Sequence, residues 1–234
     1  MFMPFWDPTF LLMIPAMIFA FYAQHKVHST YNKYSQVPAT TRRSGKEIAQ
    51  IILRQNGIND VEVEEGQGFL SDHYDPIKKR VRLSPQNYRE PSIAGLAVAA
   101  HEVGHAIQHA KGYAPLQFRT AIFPIANIGT TLAWPIILVG LLFLPNVSIA
   151  GVRLIDVGIA LFSLGVLFQL VTLPVEFDAS KRALVQINQL GLVSPQEQEG
   201  AKKVLDAAAM TYVAAAAAAA LQLLRLLILR GRRD

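Results

Sequence analysis

Four stretches of about 20 mostly apolar residues constrain this chain most, because each is long enough to cross a bilayer as a helix. They are Phe5–Ala23, Ala121–Leu144, Leu154–Pro174 and Ala207–Leu229. The fourth is dominated by Ala and contains Arg225, so a soluble helix packed on a domain is its alternative. The pattern predicts a membrane α-helical protein with about four transmembrane helices.

The composition agrees with a membrane protein and limits the chemistry. Only 17% of the 234 residues are charged, against about 25% in soluble domains. Cys is absent, which excludes disulfides, a thiol nucleophile and Cys-ligated zinc, so a metal site must use His, Asp and Glu. The net charge of +5 fits an anionic membrane surface. Nucleic-acid binding is not expected, because the basic residues alternate with acids and lack a run of stacking aromatics.

The apolar segments divide the chain into five parts. Residues 1–23 are predicted to be a transmembrane anchor, which we expect to be retained because the start lacks a basic region and a small-residue cleavage site. Residues 24–120 form a domain, 121–174 a transmembrane hairpin, 175–206 a helical completion of the domain, and 207–234 the fourth helix and a basic tail. The hairpin places 24–120 and 175–206 on one side of the membrane.

The distribution of basic residues predicts which side that is. Of the 22 Lys and Arg, 13 lie in 24–120 and 4 in 175–206. The positive-inside rule therefore favours a cytoplasmic domain. The basic tail, with Arg230, Arg232 and Arg233, would then lie outside, against the same rule.

Residues 24–120 show the signals of a small α+β domain. Ser44-Gly-Lys-Glu47 has the spacing of a capping box and starts a short amphipathic helix. Val61–Val63 and Lys79–Ser84 alternate apolar with polar residues, which predicts two strands. Ser92 can cap the strongest helix, predicted to run to Ala110.

That helix carries the motif His101-Glu102-Val-Gly-His105. Residues i and i+4 share one helix face, so both imidazoles can reach the same metal ion. Glu102 is then placed to take a proton from a water molecule and to pass it to the leaving amine of a peptide. The pattern predicts a zinc-dependent hydrolase with one Zn²⁺.

Zinc needs a third protein ligand. His109 lies two turns from His101, too far to chelate the same ion, and is expected to be a supporting, substrate-facing or solvated residue. Glu176 shares its helix face with small residues that permit close docking on the zinc helix, so it is the preferred ligand. Asp178 is its rival, but it lies about 200° around the helix from Glu176 and is spaced for an ion pair with Arg182.

A donor that stabilises the developing oxyanion is a further requirement of peptide hydrolysis. His73, Tyr74 and Arg182 are candidates, with turn packing as the alternative for the first two. The strand at Lys79–Ser84 is expected to lie at a sheet edge along the cleft, where a substrate chain could pair with it.

Four stretches of the sequence resemble the YugP-like family of bacterial membrane zinc metallopeptidases, and more distantly the HtpX-type and CAAX-processing membrane proteases. They are Asp72-His-Tyr-Asp-Pro76, Arg82-Leu-Ser84, Ala99–Gln108 and Pro174–Ala183. The resemblance implies that His101, His105 and Glu176 bind zinc and that Glu102 is the general base. The distant relatives carry Glu-x-x-Ala-Asp, but here the fifth position is Ser180, so Asp178 is the candidate to replace that Asp in supporting a histidine.

Together these features predict a multi-pass enzyme of a bacterial plasma membrane: a zinc endopeptidase with a zincin-like α+β domain. Glu176 follows Pro174 closely, so we expect substrates to be membrane-proximal or misfolded proteins. One alternative is a non-catalytic zinc-binding scaffold or chaperone. Another is an intramembrane site-2-type protease, but the apolar stretch Ile93–Ala100 is too short to span. Pro174 is expected to end the third span and to start a new helix.

Overall fold

The computed structural model describes residues 8–142, 148–149 and 152–231, and most of them are helical. A short 3₁₀ turn, Pro8–Leu12, precedes the regular elements. In chain order these are α1 Met13–Ser35, α2 Gly45–Gln55, β1 Glu62–Glu65, β2 His73–Asp75, β3 Arg80–Leu83, α3 Pro85–Arg89, α4 Ile93–Ala110, α5 Ala114–Leu142, β4 Ser148–Ile149, β5 Val152–Arg153, α6 Leu154–Gln189 and α7 Pro195–Gly231. Arg232 and Arg233 of the predicted tail, and the first residues of the predicted anchor, lie outside the described residues.

Four helices are long and apolar enough to cross a membrane: Pro8–Ser35, Ala114–Leu142, Leu154–Gln189 and Pro195–Gly231. Each overlaps one of the predicted segments, and each helix continues beyond its apolar part. Residues 5–7 of the first segment and 143–144 of the second lie outside the described residues. The Ala-rich segment lies in α7 and meets the same requirements. α4, which carries the His-Glu-x-x-His motif, is not among the four, and this goes against the intramembrane alternative.

The chain divides into two compact units, and the first comprises residues 1–22, 118–172 and 212–234. Small residues allow close helix packing in this unit, because a Cβ at Gly158 would lie 3.1 Å from the Ile137 backbone nitrogen. Arg230 of α7 pairs with Asp156 near the start of α6. Ion pairs and small residues therefore hold these helices together.

The second unit comprises residues 23–117 and 173–211 and has its own hydrophobic core. Ser44 and Glu47 form the predicted capping box at the start of α2. The buried face of α2, including Ile48 and Ile52, packs in this core with α4 and with Ala183 and Ile187 of α6. The segment around residue 180 is thus part of the same core as the residues before 117.

A three-stranded sheet in this unit has the order β1-β3-β2, with β1 parallel and β2 antiparallel to β3. The prediction that Lys79–Ser84 lies at a sheet edge is therefore wrong, because β3 is paired on both sides. The missed partner is β2, a strand of three residues, His73–Asp75, too short to show an alternating pattern. A substrate chain has no free edge of β3 to pair with.

The predicted helix break at Pro174 is also wrong, because α6 runs unbroken from Leu154 to Gln189. Proline removes one backbone donor and crowds the preceding turn, which usually favours a helix end. Here Val175, Ala179 and Ala183, which follow the proline, are fully buried. Tertiary packing of this face holds the helix through the proline.

Candidate metal centre

The motif helix α4 begins where the sequence predicts. The Ser92 side chain accepts a hydrogen bond from the Gly95 N–H at 3.0 Å, which satisfies one of the free donors of the first turn. Most of α4 is buried, including Glu102 and His105. The helix is therefore a rigid central element of its unit, and the motif side chains have little freedom to move.

α6 approaches α4 at one glycine. A Cβ at Gly104 would lie only 2.5 Å from the carbonyl oxygen of Ala179, so no other residue fits without moving a backbone. Ala179 is fully buried. Small residues on both helices thus bring the backbones together beside the motif, as the neighbours of Glu176 predict.

Three of the predicted side chains converge at this crossing. His101 Nε2 lies 3.3 Å and His105 Nε2 lies 3.5 Å from the same oxygen of Glu176, Oε2. The candidate ligand atoms of the three residues all lie within 4.8 Å of one another, and the two rings are nearly perpendicular at 83°. Two imidazole nitrogens and a carboxylate around a common point form the donor set of a catalytic zinc site.

The opposite ring nitrogen of each histidine is also engaged. His101 Nδ1 lies 3.1 Å from Ser180 Oγ, and His105 Nδ1 lies 3.0 Å from Gln108 Oε1. When Nδ1 donates to these oxygens, Nε2 keeps its lone pair and faces Glu176. Outer partners of this kind orient metal-binding histidines and select their tautomer. Ser180, at the position where the distant relatives carry Asp, contacts His101.

Gln108 was not predicted, although it joins several residues of the site. Its amide nitrogen donates to the Val175 carbonyl oxygen and to Asp178, both at 2.8 Å, which leaves Oε1 to accept from His105. Asp178 in turn pairs with Arg182. Asp178 therefore supports a histidine indirectly through Gln108. The available signal was that Gln108 is a polar residue three positions after His105 on a largely buried helix.

The electrostatics of the site favour a positive charge at its centre. Burial by itself lowers the pKa of His105, but the hydrogen bond and the charge of Glu176 outweigh it and raise that pKa. The carboxylate thus attracts a cation between the two rings. Without Cys in the chain, two nitrogens and one carboxylate suit Zn²⁺. The residues present fit a zinc ion.

Glu102 lies between the two histidines in sequence and is 7% exposed. Burial raises the pKa of its carboxyl group, against the lowering effect of the neighbouring histidines. This shift moves the pKa of the carboxyl group toward the operating pH, the direction that favours a general acid–base residue.

His73 and Tyr74 are neighbours on β2, so their side chains point to opposite faces of the sheet. The Tyr74 hydroxyl lies 2.8 Å from His109 Nδ1, so His109 is a half-buried partner of the tyrosine. Burial and the charges of Asp60 and Asp75 raise the pKa of Tyr74 to about 12, which keeps its phenol protonated. His73 is exposed and bonded to the Ser71 carbonyl oxygen at 2.8 Å. The structure gives His73 no contact with the three converging side chains.

The role of Gln108 leads to a test. We expect Gln108→Leu to weaken zinc binding by about 10-fold to 100-fold, because the His105 ring loses the acceptor that fixes its tautomer. Zinc affinity is measured by competition with a chromogenic chelator. Gln55→Leu, at an exposed position of α2, is the control for an amide-to-apolar change. Unchanged affinity in the Gln108 variant would show that the contact has no role in metal binding.

Comparison with known proteins identifies a family and a close relative. Residues 9–231 match the family model described as "Putative neutral zinc metallopeptidase". The chain is 47% identical over 225 residues to a protein of Bacillus subtilis (strain 168) named "Putative membrane protease YugP", covering 95% of this chain and 97% of the relative. The resemblance noted from the sequence motifs is confirmed. No solved structure matches the chain, so the zincin-like character of the domain stays a prediction.

Proposed function

Because the chain belongs to the neutral zinc metallopeptidase family, we propose that it is a membrane-bound zinc endopeptidase. The observation that carries the proposal is the convergence of His101, His105 and Glu176, with their ligand atoms within 4.8 Å of one another. The buried carboxyl group of Glu102 directly follows His101 in sequence and precedes His105 by three residues. Two imidazoles, a carboxylate ligand and a separate general base are the protein groups that a zinc peptidase needs.

In the proposed mechanism, His101, His105 and Glu176 hold one Zn²⁺. When bound, the ion lowers the pKa of water to about 7 and polarises the substrate carbonyl group. Glu102 accepts a proton from the attacking water and passes it to the leaving nitrogen as the C–N bond breaks. Ser180 and Gln108 keep the two imidazoles oriented during this exchange.

Tyr74 is the residue that we propose as the donor to the developing oxyanion. Its phenol stays protonated because its pKa is raised to about 12. His109, which fixes the phenol by a hydrogen bond, lies one turn beyond His105 on α4. Arg182 is already paired with Asp178, and His73 lies on the other face of β2.

The proposed substrates are membrane-anchored proteins or unfolded segments close to the bilayer. Glu176 lies on α6, a helix whose earlier part is apolar enough to span a membrane, and the relative from Bacillus subtilis is named a membrane protease. We also propose a cytoplasmic site, supported by the 13 Lys and Arg of residues 24–120.

This substrate class is tested in proteoliposomes with one cleavable sequence in two forms, free in solution and fused to a transmembrane anchor. We expect at least about tenfold faster cleavage of the anchored form, because tethering raises the effective concentration at the site. A series of longer linkers between anchor and cleavage site should reduce the rate. Cleavage of the free form alone would contradict the proposal, and the Glu102→Gln protein controls for contaminating proteases.

A further inference from the structure

A groove with a volume of about 430 Å³ lies between α1 and α7, within the second unit. Lys26, Ser29 and Lys33 of α1 form one wall, and Lys203, Ala207 and Met210 of α7 form the other. Tyr34 of α1 packs against α7, since a Cβ at Gly200 would lie 2.8 Å from its ring. The close contact at this glycine holds the two helices together at one end of the groove.

The groove has an excess of positive charge. Lys26 and Lys33 make no ion pair within the described part of the chain, and Lys33 Nζ lies 5.4 Å from the Tyr34 ring centroid. Lys203 pairs with Glu199 at 2.6 Å. Asp206, an acidic residue lining the groove, is already paired with Lys202 at 2.5 Å. Two ammonium groups on α1 are therefore free to bind an anion.

The apolar part of the groove lies where both helices turn apolar in sequence. Lys26 is three residues after Ala23, the end of the first apolar segment, and Ala207 is the first residue of the fourth. Ala207 and Met210 line the groove beside the lysines. The α1 wall of the groove is thus basic and carries hydroxyl groups, and the α7 wall has an apolar part at Ala207 and Met210. This is the polarity of a phospholipid at the junction of its headgroup and acyl chains.

We propose that this groove binds an anionic phospholipid. The lipid phosphate lies between Lys26 and Lys33, which share one face of α1 about 10 Å apart and can both reach it with their long side chains. The Ser29 hydroxyl lies between them on the same helix and donates to the Lys26 carbonyl oxygen at 3.2 Å, so the two ammonium groups are the donors to the phosphate. The glycerol and the first acyl carbons lie along Ala207 and Met210. Basic residues next to apolar helices bind anionic headgroups in this way.

The test uses purified full-length protein in a neutral detergent, with bound lipid measured by native mass spectrometry. Dioleoylphosphatidylglycerol and dioleoylphosphatidylcholine are titrated into wild type, Lys26→Gln/Lys33→Gln and the control Lys78→Gln/Lys111→Gln, which removes two exposed lysines elsewhere. We expect a preference of the wild type for phosphatidylglycerol. At about fivefold per lysine, the α1 variant should lose roughly 25-fold in that affinity. The control should bind as the wild type does.

Three results would overturn the proposal. One is equal binding of both lipids by the wild type, and another is an equal loss in both double variants. The third is full displacement of phosphatidylglycerol by millimolar inorganic phosphate, which would make the site a phosphate site without a role for the lipid. All three proteins are first compared by thermal unfolding without added lipid. The readout is independent of proteolysis, so it stands or falls apart from the proposed peptidase activity.

Discussion

Replacing Glu102 by Gln is expected to reduce peptide cleavage by at least about a hundredfold while the protein keeps its zinc. Glutamine has nearly the same shape as glutamate but cannot take a proton from water, and proton transfer by a positioned side chain contributes about 10² to 10⁴ in rate. The three residues that converge at the metal centre are unchanged in this variant. The initial rate on an anchored substrate and the zinc content are measured on the same sample.

Glu62→Gln is the matched control, because it makes the same chemical change at the one exposed position of β1. It should cleave as fast as the wild type. If Glu102→Gln protein restored the biological activity of a deletion strain in full, the chain would act as a zinc-binding scaffold or chaperone. Loss of zinc from the Glu102 variant would show that this residue has a structural role at the centre, contrary to the proposed mechanism.

Glu176→Ala is expected to have the second large effect, a loss of zinc affinity of more than about a hundredfold. Its carboxylate oxygen is the atom that both His101 and His105 face, at 3.3 and 3.5 Å. Removing an outer partner of a ligand costs about 10-fold to 100-fold in affinity, and removing a ligand itself should cost more. Affinity is measured by chelator competition, and cleavage is lost in parallel.

Asp178→Ala is the comparison that makes this test specific. Asp178 reaches the histidines only through Gln108, so its loss should weaken zinc binding about 10-fold, well short of the Glu176 effect. Both variants are compared with metal-free wild type in thermal unfolding, which separates loss of metal from loss of fold. Zinc lost from the Asp178 variant and retained by the Glu176 variant would overturn the assignment of the third ligand.

The four apolar helices and the motif helix could be predicted because their signals are local. The span signal needs only about 20 consecutive apolar residues, and the helix start needs only Ser92 and the residues after it. The pairing of His101 with His105 follows from helix geometry alone. Glu176 needed a second argument, the small residues on its face, and the contact of Gly104 with Ala179 shows why close packing matters there.

The features that were missed depend on tertiary contacts. β2 is a strand only because it pairs with β3, and its pairing makes β3 the central strand. Pro174 does not break α6, because the residues after it are buried. The Gln108 amide nitrogen donates to two acceptors, the Val175 carbonyl oxygen and the Asp178 carboxylate, and Asp178 is 70 residues away in the sequence. The one local signal of Gln108, a polar residue three positions after His105 on a largely buried helix, does not reveal these acceptors.

The most direct test of the proposed zinc centre is X-ray absorption at the zinc edge, on protein reconstituted with one equivalent of metal and passed through gel filtration. We expect one zinc per chain, with two imidazole nitrogens and oxygen ligands at about 2.0–2.2 Å. His101→Ala and Glu176→Ala proteins should each lose that signal. Failure of the wild type to retain zinc, or a zinc shell without imidazole scattering, would contradict a centre built from His101, His105 and Glu176.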